Sequence, residues 1–180
     1  MRKEQKKRFL SFFVLIVAVS LIFVGILTLG KEEKEEPKVG GLAPNFQLKN
    51  LSGNLIELKA VYKINRVTLV NFWTTWCPPC QKEIPEFARF YSEYKEKGVE
   101  ILAVNTWDDS SPEQIGEFAK KAGMEFPILL DSNDKVVKSY RIRGVPTTVF
   151  IDQTGRIREI FVGIMTYDQL KVRIDKYLPS

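Results

Sequence analysis

The chain holds no histidine and only two cysteines among 180 residues. Each shortage excludes chemistry. Without histidine there is no Ser-His-Asp or Cys-His machinery, and no histidine-ligated metal or haem. Two cysteines cannot close a cysteine-rich zinc site, which takes four nitrogen or sulfur ligands. No basic stripe interleaved with aromatics runs along the chain, so nucleic-acid binding is not expected. Internal repeats are also missing. What remains is 44% apolar and 27% charged, which excludes a disordered chain and a multispan membrane protein. One domain of about 100–150 residues fits, with a surplus.

The surplus lies at the front. From Phe9 to Gly30 no residue is charged (FLSFFVLIVAVSLIFVGILTLG). A helix of roughly 20 residues crosses a bilayer core, and in lipid only a helix satisfies the backbone of a single segment. The run exceeds the roughly 7–15 apolar residues of a cleaved secretory signal, so an uncleaved anchor over residues 9–30 is expected. Arg2, Lys3, Lys6, Lys7 and Arg8 precede it, and KEEKEE follows. The base-rich flank stays cytoplasmic. The reading is therefore a cytoplasmic tail (1–8), an anchor (9–30), a charged linker (31–38) and an extracytoplasmic domain (39–180) in the cell membrane. Residues 1–36 hold 7 of the 27 bases and 5 of the 22 acids, so the rest carries only +3. The basic excess is mostly topogenic.

Residues 40–58 alternate apolar and polar around Asn50–Asn54 and read as a hairpin. RVTLVNF (66–72) and VEILAVN (99–105) are β-rich runs suited to buried strands. Between them Phe87, Phe90, Tyr91 and Tyr94 recur at helical spacing, predicting a helix from Pro79 to about Lys97 with a kink at Pro85. Ser111-Pro112-Glu113-Gln114 is a capping box with proline at N1, opening a helix that ends near Lys121. FPILLD (126–131) predicts a short strand and Lys135–Tyr140 a short helix. TTVFID and RIREIFV flank Gln153-Thr154-Gly155 as a second hairpin. Thr166 and Gln169 cap a final helix reaching about Tyr177. Strands separated by helices imply parallel pairing with crossovers. The expected fold is α/β with a mixed sheet.

The feature that carries chemistry is Trp76-Cys77-Pro78-Pro79-Cys80, where a strand gives way to a helix. The thiolate is the nucleophile of disulfide exchange. A helix N-terminus favours it through unpaired N–H groups and partial positive charge. Two intervening residues let Cys80 reach back to Cys77, with Cys77 at the exposed end. Cys77 then attacks and Cys80 resolves. Pro78 and Pro79 remove two donors and stiffen the turn. As an inert staple the pair closes only a four-residue ring, worth roughly 2 kcal/mol. A redox role is the stronger reading.

A second motif, Gly144-Val145-Pro146-Thr147, heads the TTVFID strand, an awkward place for proline. VNFWTTWCPPC before a helix, followed by GVPTTVFID and a glycine-turned hairpin, resembles the thioredoxin superfamily. The APNFQL…LSGN…L opening, the AVN strand end and SSPEQIGEFAKKAGMEFPILLD narrow this. Together they resemble the ResA/TlpA group of membrane-anchored thiol-disulfide oxidoreductases, from about Val39 to Leu178. The resemblance implies a thioredoxin-like fold with an N-terminal hairpin and a central αβ insertion. It implies that Cys77 is the nucleophile, Cys80 the resolving cysteine and Pro146 a cis-proline facing them. Val145 would offer backbone groups to an extended substrate. Trp76, Pro78 and Pro79 would form the substrate lip, and Trp73 would belong to the core. Thioredoxin proper has a buried Asp where this chain has Asn71, which takes no proton. Asp108, beyond the next strand end, is the expected substitute. No cofactor or metal is implied.

The implied function is reduction of protein disulfides outside the cytoplasm, with apocytochrome c as substrate and a CcdA- or DsbD-type membrane electron donor. A thiol peroxidase is the rival, since Thr74-Thr75-Trp76-Cys77 contains T-x-x-C. The proline expected four residues before that threonine is Val70, which disfavours it. A copper-delivery module would need wider cysteine spacing and a histidine.

Overall fold

A computed structural model of the chain describes residues 13–20 and 34–178. Residues 13–20 are helical. The expected tail and most of the expected anchor lie outside the described residues. Among the described residues no helix is long and apolar enough to cross a membrane. Residues from Glu35 onward form one compact unit.

From Glu35 onward the elements are β1 (Gln47–Asn50), β2 (Leu55–Glu57), α1 (Leu58–Ile64), β3 (Val67–Trp73), α2 (Pro78–Tyr94), β4 (Val99–Asn105), α3 (Pro112–Lys121), β5 (Ile128–Leu130), α4 (Lys135–Ser139), β6 (Thr147–Asp152), β7 (Ile157–Val162) and α5 (Tyr167–Ile174). They form one seven-stranded sheet in the order β2-β1-β5-β4-β3-β6-β7. The middle is parallel, with β3 beside β4 and β4 beside β5. β6 and β7 close one side antiparallel, and β1 and β2 the other. This is the expected mixed-sheet, thioredoxin-like α/β fold.

The sheet separates two cores, and strand alternation assigns their residues. Val67, Leu69 and Trp73 of β3 join Ile101 and Ala103 of β4 on one face, packed with Phe87, Phe90, Tyr91 and Tyr94 of α2. Val70 and Phe72 join Leu102 and Val104 on the other, with Leu58 and Tyr62 of α1 and Val136 and Val137 of α4. All seven residues of β3 are buried. A strand with helices on both faces reads as a continuous apolar run.

Most element bounds fall within a few residues of expectation, and both capping boxes form with their reciprocal bonds. The helix α2 runs through Pro85 unbroken and ends at Tyr94, where a single 3-10 turn (Lys95–Lys97) continues it. The strand β5 is shorter than FPILLD. The helix α1 follows β2 directly, where the sequence reading placed none. Leu58 and Tyr62, one turn apart, bury its inner face, while the short LKAVYKI segment lacks a side-chain cap that would announce it.

One junction bears on the site's surroundings. Gly40 N–H donates to the Ile157 carbonyl, Ile157 N–H to Gly41, and Ala43 N–H to Gly155. Arg156 Nη1 donates to the Gly40 carbonyl at 2.8 Å. Residues 40–43 are thus fastened to the β6–β7 turn. In the sheet register that turn lies at the Val67 end of β3, since Val67 pairs with Asp152. The dithiol follows the opposite end.

Candidate active site

Strand β3 delivers Trp73 and Thr74 into the core, and the chain then turns into α2. Cys77 is the N-cap of that helix, with extended backbone. Proline occupies N1 and N2, so two of the orphan N–H groups of a helix start do not exist. The first one present belongs to Cys80. It donates to Cys77 Sγ at 3.1 Å. Both prolines are exposed. Cys77 and Cys80 form a disulfide with Cα atoms 5.2 Å apart. Cys80 is fully buried, and Cys77 is only 4% exposed. The expectation of an exposed Cys77 is corrected here: the sulfur is covered, with the Val145 carbonyl oxygen 3.7 Å away.

That carbonyl precedes Pro146, and the Val145–Pro146 peptide is cis. Pro146 is buried at the head of β6. Its own carbonyl accepts from Gly163 N–H at 2.9 Å, which ties the loop after β7 to the proline. The structure thus brings Cys77, Cys80, Val145 and Pro146 together. Trp73 is buried and stacks on Phe118 with ring centroids 5.6 Å apart. Trp76 is 61% exposed, and its Nε1 donates to the Trp107 carbonyl at 2.8 Å.

Asp108, the acid expected to stand in for the buried Asp, lies in a dense hydrogen-bond network. Its Oδ2 accepts from Thr74 Oγ1 at 2.9 Å, Thr75 N–H at 2.7 Å and Asn105 Nδ2 at 3.0 Å. Its Oδ1 accepts from Ser110 N–H at 3.1 Å. Burial alone would raise the pKa, but hydrogen bonds, that of Asn105 foremost, reverse this and hold it well below the usual carboxylate range. A carboxylate so held ties the Trp107–Ser110 stretch to the strand end before the dithiol.

Sequence reasoning missed a buried titratable group on the same helix as Cys80. Glu83 lies one turn after Cys80 on α2 and is 1% exposed. Burial raises its carboxyl to about 7, although N–H donors from Asn71 and Met165 resist that. Asn71 Nδ2 donates to Glu83 Oε1 at 2.9 Å and to Thr148 Oγ1 at 3.0 Å. Met165 N–H donates to Oε2 at 3.1 Å. Asn71 therefore does not leave the buried position without an acid, since it holds one supplied by the facing helix. Two signals were available. Asn71 interrupts an apolar strand, and Glu83 falls beside Ile84 and Phe87 on the helix's inner side. Among the described residues no cluster of three or more acidic or sulfur ligands could hold a metal.

A CxxC disulfide capping a helix, beside a cis-proline loop on a mixed sheet, defines a thioredoxin-like thiol-disulfide oxidoreductase. Comparison with known proteins agrees. Residues 39–160 match the model of the AhpC/TSA family. A thiol-disulfide oxidoreductase ResA of Geobacillus kaustophilus is 36% identical over 177 residues, which span 98% of this chain and 99% of the relative. A ResA of Bacillus cereus is 38% identical over 178 residues, 97% of this chain and 99% of the relative. The crystal structure of StoA from Bacillus subtilis superposes with a TM-score of 0.61 at 35% identity, covering 72% of this chain and 95% of that one. The thioredoxin domain of a thiol-disulfide oxidoreductase from Bacteroides vulgatus gives a TM-score of 0.68 at 27% identity, with 79% and 99% covered. The chain belongs to the AhpC/TSA family and to its ResA-like thiol-disulfide oxidoreductases. It is an enzyme of that class.

Proposed function

We propose that the protein is a membrane-tethered, extracytoplasmic reductant of protein disulfides, working through Cys77 and Cys80. The observation that carries this reading is the Cys80 N–H aimed at Cys77 Sγ from the first free donor position of α2. In the reduced enzyme the same N–H and the helix dipole favour a Cys77 thiolate. The thiolate attacks one sulfur of the substrate disulfide. A Cys77–substrate bond forms, the substrate bond breaks, and one substrate thiolate leaves. Cys80, as thiolate, then attacks Cys77 Sγ. The enzyme disulfide forms and the second substrate thiolate leaves. Two electrons pass to the substrate, whose thiolates take up two protons.

Trp76, Pro78 and Pro79 line the approach, and the Val145 backbone meets an extended substrate segment. The apolar run 9–30 and its basic flank support the tether and its orientation. The resemblance to the ResA/TlpA group is what suggests apocytochrome c as substrate and a CcdA- or DsbD-type donor that re-reduces the Cys77–Cys80 disulfide.

The test is trapping in intact cells. A Cys80→Ser variant should accumulate mixed disulfides through Cys77, and Cys77→Ser should not. Equal trapping by both variants, or by neither, overturns the assigned roles. External protease should remove the domain from intact cells, and survival of the domain overturns the orientation.

A further inference from the structure

The three residues before Cys77 all hang from one neighbouring stretch, Trp107–Ser110. Thr74 and Thr75 donate to Asp108. Thr75 Oγ1 also lies 3.4 Å from Ser110 Oγ. Trp76 Nε1 donates to the Trp107 carbonyl. Behind them Thr106 N–H donates to the Trp73 carbonyl at 3.1 Å. Trp107 presents its carbonyl from φ +52°, a left-handed conformation that bulky L-residues seldom adopt. Such backbone persists where its surroundings over-determine it. Here Asp108 fixes the following residue with four accepted hydrogen bonds, and the Trp107 ring packs half-buried against the second core.

The strained residue reaches the dithiol's neighbour through its carbonyl. It pins an indole that is otherwise 61% exposed. An exposed aromatic free to rotate loses rotamer freedom when a partner lies against it, whereas one already fixed loses little. The benefit reaches only substrates large enough to lie along Trp76 while their sulfur meets Cys77.

We propose that Trp107 is a positioning residue, whose carbonyl holds Trp76 as a fixed wall beside Cys77 and thereby favours disulfides carried on protein segments over small free disulfides. This rests on the protein-disulfide reading above. The experiment uses the full chain in detergent micelles, pre-reduced, with second-order rate constants measured for insulin and for hydroxyethyl disulfide. The readout is the ratio of the two.

Trp76→Phe keeps an aromatic ring and removes the donor. The ratio should fall about fivefold, the equivalent of one hydrogen bond of about 1 kcal/mol. Trp107→Val disfavours positive φ and should lower the ratio similarly. Trp107→Gly adopts positive φ freely and keeps the carbonyl, so the ratio should return to within about twofold of the parent. An unchanged ratio in Trp76→Phe, or equal ratios in Trp107→Gly and Trp107→Val, overturns the proposal. Should the parent reduce hydroxyethyl disulfide but not insulin, the protein-disulfide reading itself fails, and the proposal with it.

Discussion

Glu83 offers the sharpest quantitative test, because its energetics follow from its burial. A carboxyl with an ordinary pKa of 4.5 unfolded and about 7 folded binds more protons in the native state between those values. Native stability therefore falls as pH rises through that window, by up to about 1.4 kcal/mol per pH unit. Below about pH 4.5 the group is neutral in both states and contributes no penalty. Above about pH 7 the penalty is complete, on the order of 3 kcal/mol. Glu83→Gln removes the titration and keeps the shape. It also turns an amide N–H toward a donor, Asn71 Nδ2 or Met165 N–H, at a cost of about 1 kcal/mol. Absolute stabilities of parent and variant are thus offset, and the informative quantity is how their difference changes with pH. Urea unfolding of the oxidised segment 35–180 at intervals from pH 4 to pH 8.5 measures it. The variant should gain on the parent by about 2–3 kcal/mol across the range, mostly between pH 4.5 and 7. A difference constant to within about 0.5 kcal/mol would refute the argument, showing Glu83 ionised with a normal pKa or wet in the native state.

Asp108 gives the opposite sign. Its folded pKa is depressed, so its contribution is present above the unfolded value of 3.8 and lost as pH falls. Asp108→Asn should flatten the acid limb of a thermal unfolding series below pH 4 and leave the shape between pH 6 and 8 unaltered. At Gly155, φ is +83° and a Cβ would sit 2.7 Å from Tyr62 Cζ. Gly155→Ala should destabilise by about 2 kcal/mol or more, read from urea midpoints. Thr166→Ala deletes the N-cap bond to Gln169 N–H and should cost about 1 kcal/mol by the same assay. Phe87→Ala opens a cavity under α2 and should cost about 3–5 kcal/mol.

Much of the fold could be read from periodicity. Val99–Asn105 and Thr147–Asp152 are runs of buried β-formers, and they form the predicted strands to the residue. The helices α3 and α5 begin where their capping boxes say, since a cap is a local bond between residues three apart. The helix α1 was not legible. Seven residues give little periodic signal, and its stability comes from Leu58 and Tyr62 meeting the far core. At the site, CxxC and the proline loop announced themselves by residue type and order. Asn71 in an apolar strand and Glu83 on the inner side of α2 hinted at a buried acid, but the surroundings of Glu83 and Asp108 could not be read in full. Which carboxylate is clamped by donors and which is starved of water depends on packing between residues up to 82 positions apart in the chain.

The fastening of residues 40–43 to the β6–β7 turn has a practical corollary. A bead, an electrode or a carrier protein coupled at residues 40–43 would attach at the Val67 end of β3, the end of the sheet remote from the dithiol. Cutting the chain back past Ala43 is another matter. It strips bonding partners from Gly155, Arg156 and Ile157 and uncovers the margin of the outermost strand, where stray chains can add on.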